Sequence, residues 1–329
     1  MPDLYDVAAI GNAIVDVIAP ASDEFLTVNG LDKGAMMLVD QVQSAALYGR
    51  MGAGVEASGG SAANTIAGLA SFGGRGAFMG KVADDKLGEV FTHDMRAIGA
   101  RFENAPLVGG PATAVSMINV TPDAQRTMCT FLGASVEFTD SDVDAATVEA
   151  AKIVYLEGYL FDAEAARRAF AKAAALAHGS GRMIALTLSD GFVVERHRAG
   201  LMGFIETQVD LLFANETELC ALFETTDFDA AIRALTPHVK LAAVTRGAAG
   251  VGSLSQGERL TVKAEAVEKV VDTTGAGDQY AAGFMFGLSR GRPLPQCGQL
   301  ASLAAAEVIS HYGPRPQVSL KDLAASRGY

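Results

Sequence analysis

Residues 270–278 read Val270-Val271-Asp272-Thr273-Thr274-Gly275-Ala276-Gly277-Asp278 and lead into a stretch where Tyr280, Ala281, Phe284 and Leu288 recur at helical spacing before Gly291. An apolar strand end, a turn of small residues and a lone carboxylate at a helix start build an anion site beside a base. Gly275, Ala276 and Gly277 lack bulk, so their backbone N–H groups can converge on a negatively charged oxygen that the helix dipole also favours. Asp278 stands where a carboxylate would otherwise repel that anion. It is suited to take a proton from a hydroxyl attacking a phosphoryl group held by the amides. Taken alone, the same residues also fit a structural turn followed by an acidic helix start.

Outward from this stretch the chain alternates strands and helices. Residues 5–10 form an apolar run that stops at Gly11-Asn12, and residues 77–82, 153–156, 183–188, 211–214 and 241–245 are further short apolar runs. Between them lie helical patterns: residues 61–72 with Ala62, Ile66, Leu69 and Ala70 on one face and Gly73-Gly74 as a stop, the Ala-rich residues 163–177, and residues 300–309. Short buried strands spaced by helices predict an α/β fold with a mainly parallel sheet. Two stretches break the rhythm, residues 19–40 and 112–132. The alternation Val115-Ser116-Met117-Ile118-Asn119-Val120 in the second marks half-exposed β structure. Both are expected to form a lid that excludes water from the site.

The chain has 329 residues, half of them hydrophobic, enough for a large core. A net charge of −12 opposes binding to nucleic acid or to an anionic membrane, so an anionic substrate must meet a local positive site. Cys129, Cys220 and Cys297 lack the paired spacing of a zinc or redox motif. No apolar run is long enough to span a bilayer and no leader pattern precedes Asp3, so a reducing cytoplasm is expected. The five histidines, Lys81 and Lys263 make no comparable case for a role.

Other polar groups gather at predicted strand ends and helix starts. Asp16 follows the first strand with Asn12 nearby, and its carboxylate can accept two hydroxyls at once, although a solvent-exposed turn acid reads the same way. Gly59-Gly60-Ser61-Ala62-Ala63-Asn64 joins a permissive backbone to a hydroxyl and an amide, and also fits an ordinary serine cap. Asn215-Glu216-Thr217-Glu218 emerges at a strand's carboxyl end, where open sheets bind ligands, and doubles as a capping box. Thr245-Arg246-Gly247-Ala248-Ala249-Gly250 allows close approach of a nucleotide, but it lacks the G-x-G-x-x-G spacing of a dinucleotide site. Arg126 lies in the expected lid, where it could meet a transferred phosphate or serve as a surface charge.

Residues 272–278 match, position for position, the second signature of the ribokinase-like (PfkB) family of sugar and nucleoside kinases, and residues 59–64, 73–74 and 80–88 resemble its first. The resemblance covers nearly the whole chain. It implies a ribokinase-like three-layer α/β sandwich, with residues 1–18, 41–111 and 133–329 as nucleotide-binding core and residues 19–40 and 112–132 as a small β lid. It assigns Asp278 as general base, Gly275, Ala276 and Gly277 as anion hole, and Arg126 as the lid cation. Asn12, Asp16, Gly59, Gly60, Ser61 and Asn64 fall to the acceptor, and Thr245 and Gly247 to ATP. Asn215 and Glu218 would organise water, phosphate and Mg2+, with Glu218 reaching the magnesium through water. Carbonyls of Asp272 and Thr274, with the loop around residues 312–315, would surround a monovalent cation such as K+.

Within the family, residues 11–16, 59–64, 121–133 and 308–316 look most like the adenosine-kinase-like branch. A flat base needs an apolar slot, for which Ile14, Met36, Met37, Leu38, Met117, Phe131, Leu132 and Tyr159 are candidates, though the same residues fit a lid core. The expected partner is therefore a small-molecule nucleoside. The alternatives are a sugar kinase for ribose, fructose or a keto-sugar acid, and a non-catalytic nucleoside binder. Half-exposed lid strands allow a monomer or a homodimer.

Overall fold

The computed structural model describes residues 4–123, 125–255 and 258–329, leaving Met1–Asp3, Ala124 in the expected lid, Gln256 and Gly257 outside the described residues. The strands are β1 (Tyr5–Ile10), β2 (Ile14–Pro20), β3 (Met36–Leu38), β4 (Val55–Gly59), β5 (Gly76–Met79), β6 (Ala114–Val120), β7 (Arg126–Phe131), β8 (Ala151–Glu157), β9 (Met183–Thr187), β10 (Leu211–Asn215), β11 (Leu241–Thr245), β12 (Val251–Ser255) and β13 (Glu258–Val262). One sheet has the order β13-β12-β11-β10-β9-β8-β1-β5, parallel from β11 through β5 with an antiparallel β12–β13 edge.

Strand alternation sends side chains into two separate cores. Ala8, Ile10, Val154, Leu156, Ile184, Leu186, Leu212 and Val244 face one core. It is closed by helices that include Glu164–Gly179 and Gly191–Gln208. Val7, Ala9, Ile153, Tyr155, Ala185, Phe213 and Ala243 face the other, closed by Ser61–Ser71, Lys86–Ala97, Ala276–Ser289 and Leu294–Val308. Each fully buried Leu, Ile or Phe contributes about 1.5–3 kcal/mol, which is what holds helices to both faces of a sheet. The three-layer arrangement is the one expected.

The second sheet, β3-β7-β6-β2-β4, differs from expectation in its boundaries. It takes in Ile14–Pro20 and Val55–Gly59, most of which fell in the expected core segments. Conversely, only Met36–Leu38 and the end of β2 are strand within residues 19–40. Asp23–Val28 is helical there, because Ser22 accepts the amide of Phe25 and Asp23 and Glu24 sit on the first turn. The sheet has its own core of Val17, Leu47, Val115, Met117 and Cys129.

Candidate active site

Parallel strands bring their carboxyl ends to one edge. β1 delivers Asn12 just past its end, β8 delivers Glu157, β10 delivers Asn215 and β11 delivers Thr245. Such an edge is where open α/β sheets bind ligands. Buried Glu157 organises it: its carboxylate accepts from Asn12 N at 3.3 Å, Asn12 Nδ2 at 2.9 Å and Ala62 N at 2.9 Å. Burial nevertheless pushes its pKa up to about 7, with the nearby Asp278 charge adding to the rise.

Ser61 and Asn64 sit on the first turn of their helix and reach the base expected from sequence. Ser61 Oγ donates to Asp278 Oδ1 at 2.6 Å, and Asn64 Nδ2 donates to Asp278 Oδ2 at 3.3 Å. Burial at the foot of the cleft raises Asp278 to about 6, while these donors and the Arg315 charge pull the other way. Gly275 is the N-cap of the Asp278 helix, in the left-handed region at φ 78°, and no side chain caps that helix start. Ala276 N turns back to Thr273 O at 3.2 Å and is therefore already engaged at this helix start.

On the other side of the same turn opens a cleft of about 560 Å³, lined by Thr245, Gly247, Ala276, Gly277 and an apolar wall that includes Val267, Val270, Ala305 and Ile309. The volume and chemistry fit a nucleotide. Tyr280 lines it too, with a buried hydroxyl that has no hydrogen-bond partner among the described residues. Thr245 and Gly247 are thus placed together with the signature turn. The apolar wall escaped sequence reading because its residues come from the loop after β13 and from a distant helix.

Asn215 and Glu218 form a closed pair. Asn215 Nδ2 and N donate to the two Glu218 oxygens at 2.7 and 3.0 Å, and Glu218 N donates back to Asn215 Oδ1 at 2.8 Å. Burial raises Glu218 to about 7. A carboxyl already holding two donors suits a water-mediated role near a cation better than direct ligation, and no metal-binding cluster of three or more His, Cys, Asp or Glu occurs among the described residues.

Asp16 projects from β2 of the small sheet. Burial raises it to about 7, opposed by the charges of Arg315 and Arg126 and reinforced by Asp278. A Cβ on Gly59, paired across from Ile14 on the neighbouring strand, would run into the Asp16 carboxyl, so only glycine admits that side chain. Gly60 follows as the N-cap of the helix bearing Ser61 and Asn64.

Arg126 reaches the signature from the small sheet, but its Nη2 pairs with Asp272 at 2.7 Å, both side chains being 8% exposed, and it lies over the Tyr312 ring. Asp272 also accepts from Thr274 N, Thr274 Oγ1 and Gly313 N. Its carboxylate is therefore occupied, leaving only main-chain oxygens of Asp272 and Thr274 for a cation.

The candidate base slot divides by sheet face. Met117 is buried in the small sheet's own core, with Met37 and Phe131 packed on it. Ile14, Met36 and Leu38 lie on the opposite face, shared with Asp16 and Arg126 through the register Asp16–Ser116–Thr130–Leu38. Leu132 precedes a short turn, and Tyr159 sits half-exposed among Asp190, Glu157, Asp278 and Glu218. Like Glu157, Arg315 is a site residue to which sequence reading gave no role of its own. It donates to Asn64 and lies within electrostatic reach of Asp16 and Asp278.

A family profile described as pfkB family carbohydrate kinase matches residues 7–320. The fold of an adenosine kinase from Sinorhizobium meliloti superposes with a TM-score of 0.91 at 52% identity, covering 98% of this chain and 99% of that one. A probable sugar kinase from Rhizobium etli gives 0.92 at 46% identity over 100% and 99%. Adenosine kinase of Saccharomyces cerevisiae is 27% identical over 94% of this chain and 96% of its own length. With the match running from the first strand past the signature helix and its cleft, the chain belongs to the pfkB family of carbohydrate kinases and is a phosphotransferase acting on a hydroxyl group.

Proposed function

We propose that the chain transfers the γ-phosphoryl group of ATP to a primary hydroxyl of a ribonucleoside, with adenosine as the acceptor. One observation carries this reading: an uncapped helix N-terminus separates a nucleotide-sized cleft from a carboxylate held by a hydroxyl and an amide. Asp278 takes the acceptor's proton, the freed oxygen forms the new P–O bond in line, and ADP leaves with the electrons of the broken one. Main-chain donors of the signature turn meet the charge that develops on the phosphoryl oxygens. Asp16 and Asn12 offer acceptors and donors to ribose hydroxyls. Magnesium, held near Glu218 through water, would supply further charge neutralisation on the phosphates.

The small sheet acts as the lid, presenting Ile14, Met36 and Leu38 beside Asp16 as the surface for a flat base. Adenosine is favoured by the similarity to two adenosine kinases and by this pairing of an apolar face with a polyol-binding carboxylate. A coupled ADP-release assay with adenosine, other nucleosides, ribose, fructose and 2-keto-3-deoxygluconate tests it. Adenosine should exceed each sugar in kcat/KM by a factor on the order of 10². Turnover of a sugar with none of adenosine would move the assignment to a sugar kinase.

The nucleotide side is tested separately. Ala305→Leu puts three extra carbons into the cleft wall, and the ATP KM should rise on the order of tenfold while kcat holds within about twofold. An unchanged ATP KM would place the nucleotide elsewhere.

A further inference from the structure

We propose that Arg315 is a positioning residue for the base: by holding Asn64 Oδ1 it orients the Asn64 amide so that the NH2 group, and not the carbonyl oxygen, faces Asp278. This rests on the reading of Asp278 as the general base. Arg315 Nε donates to Asn64 Oδ1 at 3.1 Å, and Asn64 Nδ2 donates to Asp278 Oδ2 at 3.3 Å, while Ser61 holds Oδ1. A guanidinium has donors only, so the atom facing it must be the amide oxygen. With that end committed, Asp278 receives a donor on each oxygen and is kept ready to accept a proton. Were the amide free to turn, its oxygen would oppose the Asp278 carboxylate unless that carboxylate were protonated.

The loop carrying Arg315 is bolted to the signature on both sides. Gln279 Nε2 donates to Asn64 O at 3.0 Å and to Pro314 O at 2.9 Å, and Gly313 N donates to Asp272 Oδ2 at 3.1 Å. Gln279, next to the base on its helix, is fully buried. The guanidinium therefore has a fixed place rather than a solvated one. The charged and titratable groups around Asp278 come from three directions: Asp16 on the small sheet, Glu157 and Tyr155 on β8 with Tyr159 just after it, and Arg315 from the carboxyl-terminal loop. Arg315 supplies the positive charge in this set, facing Asp16, Asp94 and Asp278 together. Asp16 is additionally under the field of Arg126.

The test is the pH dependence of kcat/KM for wild type, Arg315→Met, Arg315→Lys and Asp278→Asn, with thermal melts to confirm folding. In Arg315→Met the acid limb should move up by about one pH unit, the low end of what removing a nearby opposite charge does. Activity near pH 6 then falls on the order of tenfold, while activity at pH 8.5 stays within about threefold. Arg315→Lys keeps a cation and a donor and should bring the limb back at least halfway. Arg315→Leu, which likewise has neither charge nor donor, serves if the Met variant fails to fold, with the same shift expected. An acid limb unmoved by loss of Arg315, or displaced equally in the Lys variant, overturns the inference. Substantial turnover by Asp278→Asn would instead overturn the base assignment itself, so the two failures are distinguishable.

Discussion

Asp278→Asn should lower kcat by a factor on the order of 10² to 10⁴ while leaving the KM for ATP within about threefold. The substitution preserves the size of the side chain, and its oxygen can still accept from Asn64 with the Ser61 hydroxyl turned to accept from its NH2, but it removes the site where the acceptor's proton goes. ATP affinity is spared because the cleft wall and the glycine turn are untouched. In the wild type, kcat/KM should rise with pH through about 6, the value to which burial lifts Asp278, and then level off. Asp16 and Glu157, raised to about 7 nearby, broaden that limb because coupled carboxyls titrate together. Turnover in the Asn variant within a few-fold of wild type would remove Asp278 from its role.

The same variant carries a stability signature. Between pH 3.8 and about 6 the folded Asp278 holds a proton that the unfolded chain has released. Its contribution to stability is therefore complete below the unfolded pKa and is lost as pH rises through the folded one. At pH 8 the buried carboxylate works against folding, and Asp278→Asn should melt higher than wild type there, with the gain vanishing towards pH 4. Asp6 makes the contrast: fully buried at the other end of β1, it is paired with both Lys152 and Arg290. At Asp278, a hydroxyl and an amide stand where Asp6 has direct ion pairs, the arrangement of a group held for chemistry.

Gly275→Val should destabilise the protein by about 2–5 kcal/mol and reduce turnover on the order of 10²-fold. The backbone there is left-handed, with φ at 78°, which a β-branched residue adopts only under strain. A Cβ at this position would also lie 2.6 Å from Pro314 Cα and O, well inside contact distance. Relief requires Pro314 to move, and with it Arg315 and the Gln279 bridge to Asn64. Gly277→Ala is the control, since a Cβ there meets no neighbour within 4 Å and alanine favours the helix. That variant should hold its urea midpoint and lose activity only through crowding of the anion site. A wild-type midpoint and wild-type turnover for Gly275→Val would show that the turn tolerates rearrangement and is not a preorganised element of the site.

The local elements were legible where a single physical pattern decided them. Strands β8 to β11 are continuous apolar runs because a central parallel strand is buried on both faces, and the helix after Asp278 shows its period directly. Residues 19–40 misled because the cap at Ser22 and the acidic first turn outweighed the extended character of their neighbours. Met117 and Met37 misled for another reason: a strand's alternation tells which residues share a face, not which face meets the site.

By itself the sequence determined the alternating architecture and the glycine turn with its carboxylate, because backbone freedom, helix periodicity and strand burial are local properties, whereas grouping Ser61, Asn64 and Asp16 at one site rested on the family resemblance. Only the tertiary structure decided that Arg126 is committed to Asp272, that Glu157 ties Asn12 to the Ser61 helix, and that Arg315 orients Asn64 towards the base. Those contacts join residues 95 to 251 positions apart, and such a meeting depends on sheet register and on where the chain returns, quantities to which no short stretch of residues has access.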